Sequence, residues 1–308
     1  MKPPACILLL AVLLAASSAQ ALILGTFNIR YANPGDVERG NGWEQRAPVV
    51  TDLIRFHNFD VIGIQEALHH QLLTMAERMP EYAYTGRGRD DGRHRGEHAA
   101  IFYKKGKFRL LDGGDFWFSE TPDVPGRGWD AALPRICTWV KLQPVSGTRP
   151  FHLFNLHFDH VGVQARLESA RLVLRRIHEI AGDQPVVLVG DFNVDQNSEG
   201  YRILTGSGVF TDAHDTAAIR YALNGTANRF DPNTRTDSRI DHIFLTRHFQ
   251  ALRYGVLTDS YRIRVPQPGP DAPSGNFPRE IRFGEFQARL PSDHFPVLVE
   301  VSALPSDP

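Results

Sequence analysis

Eight polar side chains fall at the ends of apolar, β-forming stretches: Asn28, Glu66, His157, Asp191, Asn193, Asp241, Asp293 and His294. The central stretch is Val186-Val-Leu-Val-Gly-Asp-Phe-Asn-Val194, a run that reads as a strand buried on both faces. Asp191 and Asn193 follow it two residues apart, so an acid and an amide project side by side from a rigid strand end. Each residue alone has an ordinary explanation. Asp and Asn form turns after strands, and a buried Asn can be a hydrogen-bonded core amide. Together, if these ends meet, they make a crevice with four carboxylates, two imidazoles and two amides. Four ionised carboxylates cannot share a small space without a cation, and hard oxygen ligands suit magnesium, manganese or calcium. The chain has no H-E-x-x-H, no zinc-spaced Cys/His pairs, no Gly-rich loop with Lys-Ser/Thr and no Gly-x-Ser-x-Gly elbow.

The elements that must position these groups alternate between strands and helices. Strands are expected over Leu22–Arg30, Phe59–Glu66, Ala99–Tyr103, Arg109–Phe118, Pro134–Val140, Phe151–His157, Arg239–Leu245 and Ser292–Val301, besides the central run. Helices are expected from about Glu44 to His57, with Pro48 in the first turn, from about Ala67 to Met79, and over Gln164–Ala181, with Gly182 at its end. Residues 195–238 read as polar and turn-rich with a short helix near 199–205, and 263–290 as a long surface excursion. Asp241, flanked by apolar residues, needs a partner. The whole is one α/β domain of roughly ten to twelve short strands, mixed sheets packed face to face with helices outside. Residues 86–98, rich in Arg and His, read as a solvated loop or as a phosphate-attracting lip. Phe116-Trp-Phe118 fits a core strand, or alternatively a membrane-entering tip.

Residues 1–21 read as a secretory signal peptide: Lys2, an apolar run from Ile7 to Ala16, and an Ala19-Gln-Ala21 cleavage site. The folded domain is then 22–303, and the expected product is soluble, secreted or periplasmic, and monomeric. Cleavage removes Cys6 and leaves Cys137 alone, a packing residue in a strand. The 308-residue chain carries 34 basic and 35 acidic residues, and loss of Lys2 leaves 33 against 35. Proteins that grip long polyanions are usually basic, so this balance counts against long DNA as the main substrate.

Six short motifs now stand in order: Phe27-Asn-Ile-Arg30, Ile64-Gln-Glu66, Asn155-Leu-His157, Gly190-Asp-Phe-Asn193, Arg239-Ile-Asp241 and Ser292-Asp-His294. In that order they resemble the endonuclease/exonuclease/phosphatase superfamily, which includes pancreatic-type deoxyribonuclease, abasic-site endonucleases, bacterial sphingomyelinases, inositol-polyphosphate 5-phosphatases and deadenylases. The resemblance spans about 23–301. Trp43 with Arg46, the stretch Gly128–Arg135 and Phe158-Asp-His160 add a likeness to uncharacterised exported bacterial members.

The resemblance implies a four-layer α/β/β/α sandwich of two mixed sheets flanked by helices. It implies that Glu66 is the principal metal ligand, with Asn28 and Asp293 near the ion. Asp191 would orient or deprotonate the attacking water, and Asn193 would hold that water or a phosphate oxygen. His294 would hydrogen-bond the phosphate, oriented by Asp241; His157 would contact the phosphate or assist the leaving oxygen; Arg135 would face the phosphate. Arg30 stands where abasic-site enzymes carry an acidic ligand, which points to a single metal ion and away from abasic-site repair. The expected activity is hydrolysis of a phosphodiester, in nucleic acid or a small molecule, with Mg2+ (or Mn2+ or Ca2+). A sphingomyelinase- or inositol-phosphatase-like enzyme and a non-catalytic binding module on the same fold are the alternatives.

Overall fold

The computed structural model describes residues 21–146, 149–266, 269–272 and 275–303. The signal-peptide reading covers 1–21, of which 1–20 lie outside the described residues. The first half of the chain runs β1 (Leu22–Asn28), α1 (Pro34–Glu38), α2 (Trp43–Phe56), β2 (Val61–Ala67), α3 (His69–Arg78), β3 (Tyr82–Thr85), β4 (His98–Lys104), β5 (Phe108–Trp117), β6 (Ile136–Pro144) and β7 (Phe151–His157). Helix α4 (Val163–Ala181) then crosses to β8 (Val186–Asp191). After it come α5 (Glu199–Thr205), β9 (Thr211–Asp212), α6 (Ala213–Thr216), β10 (Ile219–Tyr221), β11 (Asp241–Leu245), β12 (Phe249–Val256), the hairpin β13 (Tyr261–Arg264) and β14 (Phe286–Arg289), and β15 (Val297–Ala303).

One sheet has the order β10-β12-β15-β1-β2-β4-β3 and the other β5-β6-β7-β8-β11-β9. Both mix parallel and antiparallel pairs: β1–β2 and β7–β8 are parallel, β1–β15 and β8–β11 antiparallel. The apolar residues sort into three layers. Leu24, Val61, Leu153, Val187, Val189, Ile243, Val297 and Val299 fill the space between the sheets. Phe27, Ile62 and Ile64 face α2 and α3 through Val50, Ile54, Leu72 and Met75, while Phe154, Leu156 and Leu188 face α4 and α5 through Val173, Ile177 and Leu204. The result is the expected α/β/β/α sandwich of two mixed sheets flanked by helices.

Fifteen strands occur among the described residues, more than the ten to twelve expected. The extra ones are short: β9 and β10 lie in the polar stretch after β8, and β13–β14 structure the surface excursion. Pro48 is also displaced from its expected place. It is the sixth residue of α2, so the Glu44 carbonyl one turn back meets no amide there. Phe116, Trp117 and Phe118 are buried in the core, which removes the membrane-tip alternative. No helix among the described residues is long and apolar enough to cross a membrane.

Strand phase explains how the fold builds a site. Alternate side chains of a strand share a face. Thus Leu24, Thr26 and Asn28 continue one inward row; Val187, Val189 and Asp191 another; Leu153, Asn155 and His157 a third; and Leu245, Ile243 and Asp241 a fourth. The inter-sheet layer is apolar through its middle and turns polar at one end. Pairing sets which end: β1, β2, β7 and β8 finish there, and the antiparallel β11 and β15 begin there.

Asn155 ties the two sheets at this boundary. Its Nδ2 donates to the carbonyls of Ile64 (3.0 Å) and Ala100 (2.8 Å) across the gap, and its Oδ1 accepts from Gln65 Nε2. Gly63 is required opposite, because a Cβ there would lie 2.5 Å from Asn155 Oδ1 and 2.7 Å from Val189.

Candidate active site

Glu66 is out of phase with the inward row of β2, which is Val61, Gly63 and Gln65. The β2–β4 pairing slips between Ile64 and Ala67, and Glu66 adopts φ 65°. A bulge of this kind re-aims a side chain at a strand end, and here it turns the carboxylate into the cleft. Asn193 (φ 48°) and Arg30 (φ 60°) are also left-handed. Such backbone costs of order 1–3 kcal/mol per residue and clusters at functional sites.

The cleft is about 320 Å³ and is lined by Arg30, Tyr31, Glu66, Glu97, Leu133, Arg135, His157, His160, Asp191, Asn193, Asp293 and His294. Asn28 lies beneath it. Its Nδ2 donates to Glu66 Oε1 and to Asp191 Oδ2, both at 3.0 Å, and its Oδ1 accepts from the Arg30 amide. Asn28 thus presents N–H groups, not its oxygen, to the two carboxylates. Glu66 Oε2 accepts from the Tyr31 amide at 3.1 Å. Asp191 Oδ1 accepts from the Asn193 amide at 2.9 Å, and Asp191 Oδ2 lies 3.5 Å from His157 Nε2 and 3.9 Å from His294 Nε2. His294 Nδ1 is 2.9 Å from Asp241 Oδ2. Asn193 Nδ2 donates to the Phe158 carbonyl. Asp293 lies 3.6 Å from Arg30 Nη1.

Arg135 is buried. Its Nε pairs with Asp159 at 3.2 Å and its Nη2 lies 2.8 Å from His160 Nδ1, while Nη1 is buried without a protein partner. A buried guanidinium N–H with no protein partner is uncommon and marks a place for a further acceptor. Thus the eight motif residues (Asn28, Glu66, His157, Asp191, Asn193, Asp241, Asp293 and His294) and Arg135 converge at one end of the sandwich.

The electrostatics follow from crowding. Burial pushes the Asp191 carboxyl up to about 7, with the Asp241 carboxylate adding to it and His294 opposing. Burial also raises Asp293, with Glu66 adding. His294 is buried, which disfavours its charge, but Asp241 and Asp191 outweigh burial and hold it as an imidazolium. His157 is pushed well down by burial and by Arg135 and Arg89, so it is neutral.

Glu97 has no counterpart in the motifs. It sits in the loop noted for its basic residues, where it pairs with Arg89 through two contacts of 2.6 and 2.9 Å and reaches 3.8 Å from His157 Nδ1. Burial pushes it up to about 7, against the pull of Arg89. Residues 86–98 are therefore neither a fully solvated loop nor a simple basic lip. Arg89 and His98 are buried, a bridge joins Gly88 to His98, and an acid faces the cleft. No periodicity marks Glu97 in the sequence; its pairing with the buried Arg89 is what holds it inward.

The donor set fits a hard divalent cation. Glu66 and Asp293 both offer oxygens to the cleft, and the raise at Asp293 comes first from burial and then from the neighbouring Glu66, a charge that a cation would offset. Asp191, Asp241 and His294 also bring ligand-type atoms within 4.8 Å of one another. That trio is already engaged, with His294 Nδ1 on Asp241 and Asp191 Oδ2 on Asn28, and it fits proton handling better than metal binding.

A sandwich of this topology with carboxylates, an imidazolium and an unmatched guanidinium at one sheet end defines a phosphoesterase. Residues 25–294 match the Endonuclease/Exonuclease/phosphatase family, and the chain belongs to that family. A family protein of known structure from Bacteroides thetaiotaomicron is 47% identical, with TM-score 0.85 over 93% of this chain and 99% of that one. A mannosyl-6-phosphatase from the same organism is 48% identical, with TM-score 0.83 over 91% of this chain and 99% of that one. An uncharacterised protein of Acanthamoeba polyphaga mimivirus is 31% identical over 220 residues, which cover 66% of this chain and 79% of that protein.

Proposed function

We propose that the protein is a divalent-metal-dependent hydrolase of a small phosphate ester, with a sugar phosphate as the substrate class. The carrying observation is the cleft itself: it places His294 between Asp241 and Asp191 and gathers Glu66, Asp293 and Arg135 into the same lining. The sugar-phosphate class rests on the 48% likeness to a mannosyl-6-phosphatase over nearly the whole chain. The near-balance of 34 basic and 35 acidic residues agrees with a compact substrate better than with a long polyanion.

Glu66 and Asp293 would hold the cation, Mg2+ before Mn2+ or Ca2+, with Asn28 fixing the Glu66 carboxylate. Bound there, the cation would polarise a phosphoryl oxygen and offset charge developing in the transition state. Asp191 accepts the proton of the attacking water, and Asn193, held by its own backbone bond to Asp191, positions that water or a phosphate oxygen. His294, charged and oriented by Asp241, donates to a non-bridging oxygen, and Arg135 Nη1 donates to another. His157, neutral, contacts the phosphate or the leaving oxygen.

A phosphodiester substrate is the second reading. It is favoured by a second pocket that shares Arg30 and Asp293 with the cleft and adds Arg39, Arg229, Phe230 and Arg289 beside Asp36, room for a second substituent of the phosphate. Export rests on the Lys2, Ile7–Ala16 and Ala19–Ala21 pattern. The deciding test is turnover of a hexose 6-phosphate and an inositol phosphate, read as released phosphate, and of bis-p-nitrophenyl phosphate, RNA and single-stranded DNA, read as released p-nitrophenol or shortened strands, each with Mg2+, Mn2+, Ca2+ or chelator. Chelator-sensitive turnover of the hexose phosphate supports the first reading. Turnover of diesters alone replaces it with the second, and no turnover of any ester defeats both.

A further inference from the structure

One group of side chains outside the cleft has no part in the chemistry above. His69 is the first residue of α3, and His94 and His98 come from the neighbouring loop and the start of β4. One ligating atom from each lies within 4.8 Å of the others. The His69 and His94 rings are 4.1 Å apart, and those of His69 and His98 are 6.1 Å apart and nearly parallel at 25°. His98 is buried, His69 half-buried and His94 exposed, so the group opens to solvent at one side.

His98 Nδ1 lies 3.0 Å from the Ala67 carbonyl oxygen. With a proton on that nitrogen, donated to the carbonyl, the Nε2 lone pair is free to coordinate. A metal-binding histidine is commonly fixed through its second nitrogen in this way. The group contains three imidazoles and no carboxylate, a donor set for a late transition ion and not for magnesium or calcium. Zinc–nitrogen bonds of about 2.0–2.1 Å in tetrahedral geometry put the nitrogens roughly 3.3 Å apart. His94, on the exposed loop, is the residue free to close the difference.

We propose that His69, His94 and His98 form a second metal site, taking zinc or a chemically similar divalent ion through three imidazoles with the fourth position open. The site pins the loop to the start of α3. It joins the segment after Glu66 to the segment after Glu97, because Ala67 and His98 directly follow those acids. It stands whether or not the cleft's substrate is assigned correctly.

The test is zinc binding to the metal-stripped protein, measured by competition with a chromophoric chelator while excess Mg2+ fills the cleft. One tight zinc equivalent is expected. His69→Ala and His94→Ala should each weaken it by about a hundredfold or more, since outer-shell partners alone are worth about 10–100-fold. Neither side chain is fully buried, so both variants should keep the wild-type circular dichroism. Cobalt should give visible ligand-field bands in the wild type that vanish in both variants. Zinc should also slow amide hydrogen exchange across residues 88–98 in the wild type and not in His94→Ala. Absence of a tight equivalent in the wild type, or unchanged affinity in both variants, overturns the site.

Discussion

His294 Nδ1 lies 2.9 Å from Asp241 Oδ2, while its other nitrogen lies 3.9 Å from Asp191 Oδ2. One imidazole is thus held between two carboxylates on adjacent strands, since Asp241 and Asp191 are register partners. Asp241 fixes which nitrogen faces the cleft and favours the charged ring. Asp241→Asn should cut kcat by about 10²–10⁴-fold with little change in KM, because it removes the imidazolium and not the binding surface. The pH–rate profile should change shape in Asp241→Asn, a change that a merely structural role would not produce. A near-wild-type kcat would remove the pair from the mechanism.

Glu66 Oε1 accepts from Asn28 and Oε2 from the Tyr31 amide, so a Gln at this half-buried position keeps one of the two bonds and loses one acceptor oxygen. Glu66→Gln should therefore keep the fold while weakening Mg2+ activation by on the order of tenfold or more. The check is the metal concentration at half-maximal rate, together with calorimetric Mg2+ binding. An unchanged metal dependence would assign the cation elsewhere in the cleft.

Much of this site could be read from the chain because its residues continue strand patterns. Asp191, Asp241 and His157 each extend an alternating apolar row, so strand phase alone sends them to the space between the sheets. Glu66 was legible by type and not by phase: alternation points it outward, and only the bulge explains its aim. Glu97 was not legible, since a loop of arginines and glycines has no period and its direction depends on Arg89 folding back on it. The clamp role of Arg46 was hidden for a similar reason. It is fully buried and donates to the carbonyls of Ile29, Asn41 and Pro291, partners that only the tertiary fold brings together.

Asn155 is a different kind of site residue. It touches no cleft surface, yet its three contacts join Ile64, Gln65 and Ala100 across the sheets. Asn155→Ala takes a donor from two buried carbonyls and an acceptor from the Gln65 amide, which keeps its bond to Thr26 Oγ1. The cost should be about 2–4 kcal/mol, from roughly 1–3 kcal/mol per unsatisfied group with partial relaxation. Urea denaturation should show a lower midpoint with an unchanged slope. Gln65 adjoins Glu66, so metal affinity should fall as well. Equal stability of variant and wild type would show that the inter-sheet tie is replaceable.

His152 gives a pH dependence unconnected with catalysis. It is buried in β7 beside the rings of Trp139 and Phe154, with centroids at 6.1 and 6.4 Å, and its Nδ1 has no hydrogen-bond partner. Burial, reinforced by Lys141, pulls it from 6.5 down to about 4. The folded state therefore resists protonation that the unfolded state accepts. Between those two values the unfolded chain binds more protons, so stability rises with pH across the window and is lost as pH falls from 6.5 toward 4. At about 1.36 kcal/mol per unit, the effect is at most roughly 3 kcal/mol. His152→Phe replaces the ring with one that does not titrate and suits the aromatic surroundings. The gap between urea midpoints at pH 7.5 and pH 5 should be smaller in that variant than in the wild type, with the buried His157 and His98 keeping their own shares. If both proteins lose the same stability between these two values, His152 does not carry the acid sensitivity.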